Sequence, residues 1–179
     1  MPRYVALVRG VNVGGKNKLP MAQLRELLGM LGYTEARTHL NSGNAVFTSA
    51  EAEPAALAQQ IERALADTID RPVRCLVRSG AELLEVIDAN PLRAQSSDGS
   101  KTMAHFLSAQ PDPALLAEHD PCALDPDTIF LGERVIYQWC PDGLLQAPPV
   151  GTFAERHLDV AVTTRNWNTV TKLATLLEA

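Results

Sequence analysis

Cysteine is scarce in this chain: three residues in 179, at positions 75, 122 and 140, with no Cys-x-x-Cys pair among them. An odd and widely spaced set excludes a disulfide framework and a structural zinc clip. His39, His105, His119 and His157 are scattered in the same way, so neither a metal site nor a cofactor is expected. Aromatic residues make up only 5% of the chain, and the apolar segments 4–8 and 45–48 offer one ring each, Tyr4 and Phe47. That is too little for the stacking platform of a single-strand nucleic-acid binder. No stretch approaches the roughly 20 apolar residues that span a bilayer, and residues 4–8 are too few for a secretory core. The expectation is a cytoplasmic protein with no membrane partner. Paired carboxylates near the glycine-rich segment and a Gly-x-Ser-x-Gly elbow are also missing, which removes the commonest hydrolase signatures.

What is present is enough apolar material to fold, 46% of residues, and a formal net charge of -5 that is unevenly spread. Residues 1–50 hold six Lys and Arg side chains against two Glu, a local balance of +4, and the rest is acidic. A whole-surface nucleic-acid binder is usually basic overall. This chain can offer one positive patch.

Residues 4–8 read as a buried strand, followed by a glycine-rich stretch. Pro20 suits the first position of a helix, and Leu24, Leu27, Leu28 and Leu31 follow at helical spacing up to Gly32. Segments 38–40 and 45–48 flank Asn41-Ser42-Gly43-Asn44 as a hairpin. Pro54 opens a second helix carrying Leu57, Ile61 and Leu65, and 73–77 is a further strand. The order β-α-β-β-α-β is the ferredoxin-like one, an α+β arrangement with both helices on one face of an antiparallel sheet. A helix over 81–89 and a loop over 90–100 separate this from a second half. That half contains strands at 102–108, 128–131 and 135–139, and helices at 113–119, 153–158 and 165–177. The reading is an N-terminal unit at 1–78, a helix and linker at 79–100, and a similar unit at 101–179.

"RGVNVGGKNKLP", residues 9–20, resembles a phosphate-binding loop with Asn17 in place of the magnesium-binding Ser or Thr. A P-loop helix starts at its Gly-Lys pair, and here that would put Pro20 inside the helix at a cost of about 3 kcal/mol. The loop can still attract an anion through the backbone of Gly10, Gly14 and Gly15 and the charges of Arg9, Lys16 and Lys18. A tight connection with solvated lysines explains the same letters.

Three blocks together, "YVALVRGVNVGGKNKLPMAQLRELL", "THLNSGNAVFTS" and "TTRNWNTVTKLATL", resemble the signature of the family called domain of unknown function 1697. The resemblance covers nearly the whole chain. It implies a small, mostly bacterial, cytosolic protein built from paired ferredoxin-like units, and it brings no activity with it. Similar proteins place a Ser-Lys pair after the glycine that follows the last expected strand, where this chain continues Gly143-Leu144-Leu145.

In the third block a helix from Arg165 would carry Trp167, Val170, Leu173, Ala174 and Leu177 on an apolar band, with Arg165, Asn168, Thr169 and Lys172 on the opposite stripe. Thr163 or Thr164 would cap it. Three functional classes follow. In a binding module, Arg9, Asn12, Gly14, Gly15, Lys16, Asn17, Ser42, Asn44, Arg165, Asn168 and Lys172 meet an anionic ligand, a nucleotide, a phosphorylated metabolite or a nucleic-acid phosphate. In an enzyme on a phosphorylated or carboxylated metabolite, Lys16 or Arg165 would stabilise developing charge, with Ser42 or His39 as nucleophile or base. In a structural or protein-interaction domain, the asparagines form a network that pins loops.

Overall fold

The leucine stripes and valine-rich segments sort into two units of one topology, seen in a computed structural model that describes residues 1–51 and 53–179. The first unit comprises residues 1–84 with 172–179, and the second 85–171. In the first, β1 (Arg3–Val8), α1 (Met21–Met30), β2 (Thr34–His39), β3 (Asn44–Thr48), α2 (Pro54–Ile69) and β4 (Cys75–Ser79) follow in order, and α3 (Gly80–Asp88) begins there and ends in the second. In the second, β5 (Thr102–Leu107), α4 (Pro113–Glu118), β6 (Ile129–Leu131), β7 (Val135–Trp139), α5 (Val150–His157) and β8 (Val162–Asn166) repeat the pattern. Each sheet is antiparallel, with strand orders β2-β3-β1-β4 and β6-β7-β5-β8. The last helix, α6 (Trp167–Glu178), starts in the second unit, and its residues from Lys172 onward group with the first.

Local chemistry explains the ends of these elements. Pro20 does not enter α1: it stands just before it with an extended ψ of 139°, and its carbonyl accepts the helix's first bond from Leu24 N at 3.1 Å. At the other end Gly32 takes φ +91°, its N–H reaching the Gly29 carbonyl and that of Tyr33 reaching Leu28. This is the paired C-terminal cap that only a residue at ease in the left-handed region supplies cheaply. α2 has Pro54 at its first turn and buries Leu57, Ile61 and Leu65 completely. Each such burial contributes about 1.5–3 kcal/mol. These leucines meet Tyr4, Ala6, Val8, Ala45, Phe47 and Val77 from the sheet in one apolar cluster.

The expected helix from residue 165 is corrected. The run Val162-Thr163-Thr164 is β-branched, which favours extended backbone, and it pairs with β5 with Arg165 opposite Ala104. Arg165 and Asn166 lie in β8, and the helix begins at Trp167. Its cap is Asn166, whose Oδ1 accepts from Thr169 N at 3.0 Å, and not Thr163 or Thr164. Trp167, Val170, Leu173 and Leu177 are buried as the periodicity requires, but Thr169 is buried with them and leaves the polar stripe.

Candidate functional site

The glycine-rich stretch is a miniature hairpin. Val13 bridges Lys16 in antiparallel fashion, with Lys16 N donating to the Val13 carbonyl at 3.0 Å, and the next rung joins Asn12 N to the Asn17 carbonyl at 3.1 Å. Gly14 and Gly15 form the two-residue turn with φ +58° and +73°, the combination a tight hairpin of this twist demands. Asn12 and Asn17 flank it, also with positive φ. The likeness to a phosphate loop thus stops at the letters: its glycines turn a hairpin, and no helix begins at Lys16.

Asparagine amides clamp this hairpin. Asn12 Nδ2 donates to the Leu19 and Asn41 carbonyls, at 2.8 and 2.7 Å, while Oδ1 accepts from Leu19 N at 2.8 Å. Asn17 Nδ2 donates to the Gly10 carbonyl, and its buried Oδ1 receives no hydrogen bond from a described residue. The bond to Asn41 ties the loop to the β2–β3 hairpin, so the first two sequence blocks meet in space. Gly43 makes this fit: at φ +93° its carbonyl accepts from Val8 N at 2.8 Å, and a Cβ there would lie 2.9 Å from both Val8 and Val11. Asn44 is buried, and its Nδ2 closes the turn on the His39 carbonyl and Ser42 Oγ. Between loop and hairpin lies an open depression of about 380 Å³, lined by Asn12, Gly15, Lys18 and Asn41 among others. Lys16 and Lys18 are exposed and form no ion pair with a described residue.

Of the third block, Lys172 also belongs to the first unit. Burial and, after it, the Lys172 charge hold the His39 imidazole below its usual pKa, so this lysine lies within electrostatic reach of the end of β2. Arg165 and Asn168 belong to the second unit. Arg165 Nη1 donates to the Thr164 carbonyl at 2.8 Å, and Asn168 sits against Gly99, where a Cβ would fall 2.2 Å from its Oδ1.

The structure holds a group of residues that the sequence reading passed over. In the second unit His105, 3% exposed, is bonded through Nε2 to Gln138 Oε1 at 2.9 Å and through Nδ1 to Thr164 Oγ1 at 2.7 Å. Gln138 donates its Nε2 to the Pro148 carbonyl, which leaves Oε1 as an acceptor. His105 therefore carries its proton on Nε2, and the Thr164 hydroxyl donates to Nδ1. Burial pushes this imidazole down to about 4, against the opposing effect of Gln138. Register marks the group: Gln138 pairs with Met103, and Thr164 with His105, on one sheet face. An isolated His, Gln and Thr carry no such signal until pairing is known. Arg78, 4% exposed on β4, was equally silent.

No cluster of three or more His, Cys, Asp or Glu suited to a metal ion occurs among the described residues, and none of their helices is long and apolar enough to cross a membrane. No curated protein matches the chain. Among solved structures, that of the conserved bacterial protein SP0830 from Streptococcus pneumoniae is similar over 98% of each chain, with a TM-score of 0.69 at 25% identity. A family model described as a protein of unknown function, DUF1697, matches residues 1–137, which include the glycine hairpin, the Asn-clamped turn and the helices α1 and α2. The chain belongs to the DUF1697 family.

Proposed function

We propose that the first unit is a binding module for an anionic ligand, a phosphorylated or carboxylated small molecule or a nucleic-acid phosphate, at the joined tips of the glycine hairpin and the β2–β3 turn. The observation that carries this reading is the pairing of a clamped backbone with two lysines, Lys16 and Lys18, that have no carboxylate partner among the described residues. Fixing the loop in advance lowers the entropy lost on binding. Arg9 and Ser42 lie at the same tips, and Lys172 adds charge near the end of β2. Each unit's sheet order supports a ferredoxin-like reading, the bacterial origin of the structural neighbour supports a bacterial protein, and the free state of Cys75, Cys122 and Cys140 supports a cytoplasmic one.

Asn12 favours a second reading. Its amide is fully engaged in bonds to the chain itself, as a purely structural clamp would require. A thermal-shift series at low and high salt, with inorganic phosphate, nucleotides, phosphorylated metabolites and short oligonucleotides, separates the two. A ligand at 100 times its Kd adds about 2.7 kcal/mol. The binding reading expects a selective, salt-sensitive shift that disappears in Lys16→Ala with Lys18→Ala. A flat response over the whole panel overturns it in favour of the clamp.

A further inference from the structure

Away from these tips, α1 and α2 leave an open groove of about 400 Å³ between them. Its apolar lining is Leu27, Met30, Leu31 and Ala64, and Met30 is 83% exposed. Leu27, Met30 and Leu31 share one stripe of α1 at spacings of three and four residues, and a long flexible thioether at the mouth suits a surface that adapts to another chain. Two carboxylates rim the groove, Glu26 from α1 and Asp67 from α2, and neither forms an ion pair with a described residue.

The backbone sharpens this charge. α2 runs out at Ile69, so Asp67 and the capping residue Asp70 stand at the end where free carbonyls already concentrate negative potential. Neither α1 nor α2 has a basic residue in its last turn to offset it. An acid at a helix C-terminus costs the isolated protein stability, and a cation brought in from outside relieves that cost. We infer that this groove docks a basic amphipathic helix of another protein, its apolar face on Met30 and Leu31 and its Lys or Arg side chains on Glu26 and Asp67. The complementarity is of charge and of apolar surface together. A second copy of this chain is a poor occupant, because each of its six helices among the described residues carries at most one Lys or Arg.

The test uses the intact protein and a fluorescent 18-residue helix of Leu and Lys in amphipathic order, read by anisotropy. A scrambled peptide of the same composition and a Leu and Glu helix serve as references. The ordered basic peptide is expected to bind at least tenfold more tightly than both. Met30→Glu should weaken it at least tenfold, and Glu26→Lys with Asp67→Lys should abolish binding and admit the acidic helix. These positions face solvent, and an unchanged Tm confirms that each variant is folded. Equal binding of ordered and scrambled peptides reports bulk acidity alone and overturns the inference. So does binding that survives both sets of substitutions. Concentration-dependent self-association lost in Met30→Glu overturns it in favour of a second copy.

Discussion

The two units share strand order and element order, yet what lies beneath their helices differs. Aligned by register, Ala6, Phe47 and Val77 of the first sheet occupy the places of His105, Gln138 and Thr164 in the second. The first unit fills that space with stacked rings, Phe47 lying 5.8 Å from Tyr4 and 4.8 Å from Tyr33 between centroids. The second fills it with a hydrogen-bonded chain running from Thr164 through His105 and Gln138 to the Pro148 carbonyl. The topology therefore does not require a buried polar network, since one copy stands without it. A satisfied network adds little net stability over apolar packing and makes each member dependent on the others.

The largest effect should come from the apolar side of this comparison. Phe47→Ala removes a fully buried ring and is expected to cost about 3–5 kcal/mol, read as a fall in the urea midpoint. Acid should act on the polar side. His105 binds its proton near 4 when folded and near 6.5 when unfolded, so below 6.5 the unfolded chain takes up more protons. Its contribution is complete above pH 6.5 and is lost as pH falls towards 4, a difference of about 3 kcal/mol. Both tryptophans, Trp139 and Trp167, belong to the second unit, so their fluorescence should report the acid transition and His105→Gln should flatten it.

Breaking the network at one point should be worse than removing it. Gln138→Leu strands the His105 N–H and the Pro148 carbonyl, at a cost of about 1–3 kcal/mol. Replacing all three members, with His105→Leu, Gln138→Met and Thr164→Val, should recover most of that loss in the same denaturation measurement. If the triple variant instead matches or exceeds the single loss, the second unit needs its polar core and the comparison fails. The smallest change concerns Leu40, which is 57% exposed and held at φ +60° beside the Asn41 clamp. Leu40→Gly should raise stability by about 1 kcal/mol, since strain in a left-handed leucine has no packing to offset it.

Much of this was legible in the letters. The leucine spacing of α1 and α2, Pro54 at a helix start, Gly32 at a helix end and the Asn-Ser-Gly-Asn turn each act through a few neighbouring residues. Their outcome follows from local geometry. Arg165 shows where that stops: helical periodicity was present on paper, but strand pairing with β5 claimed the β-branched residues before it. The same limit applies to the site. Glycines and lysines marked the loop, while the rungs from Asn12 to Asn17 and Val13 to Lys16, which make it a hairpin, had no local signature.

By itself, then, the sequence determined the kinds of element and their order in the first unit and the apolar positions inside each helix, but not the strand β8 of the second. These follow from propensity and periodicity within a few turns of chain. Tertiary structure alone decided that Asn12 meets Asn41, that Lys172 reaches the neighbourhood of His39, and that His105, Gln138 and Thr164 share one buried face. Those contacts join residues 29, 133 and up to 59 positions apart, and only the register of paired strands and the path of the last helix bring such side chains within bonding or electrostatic range.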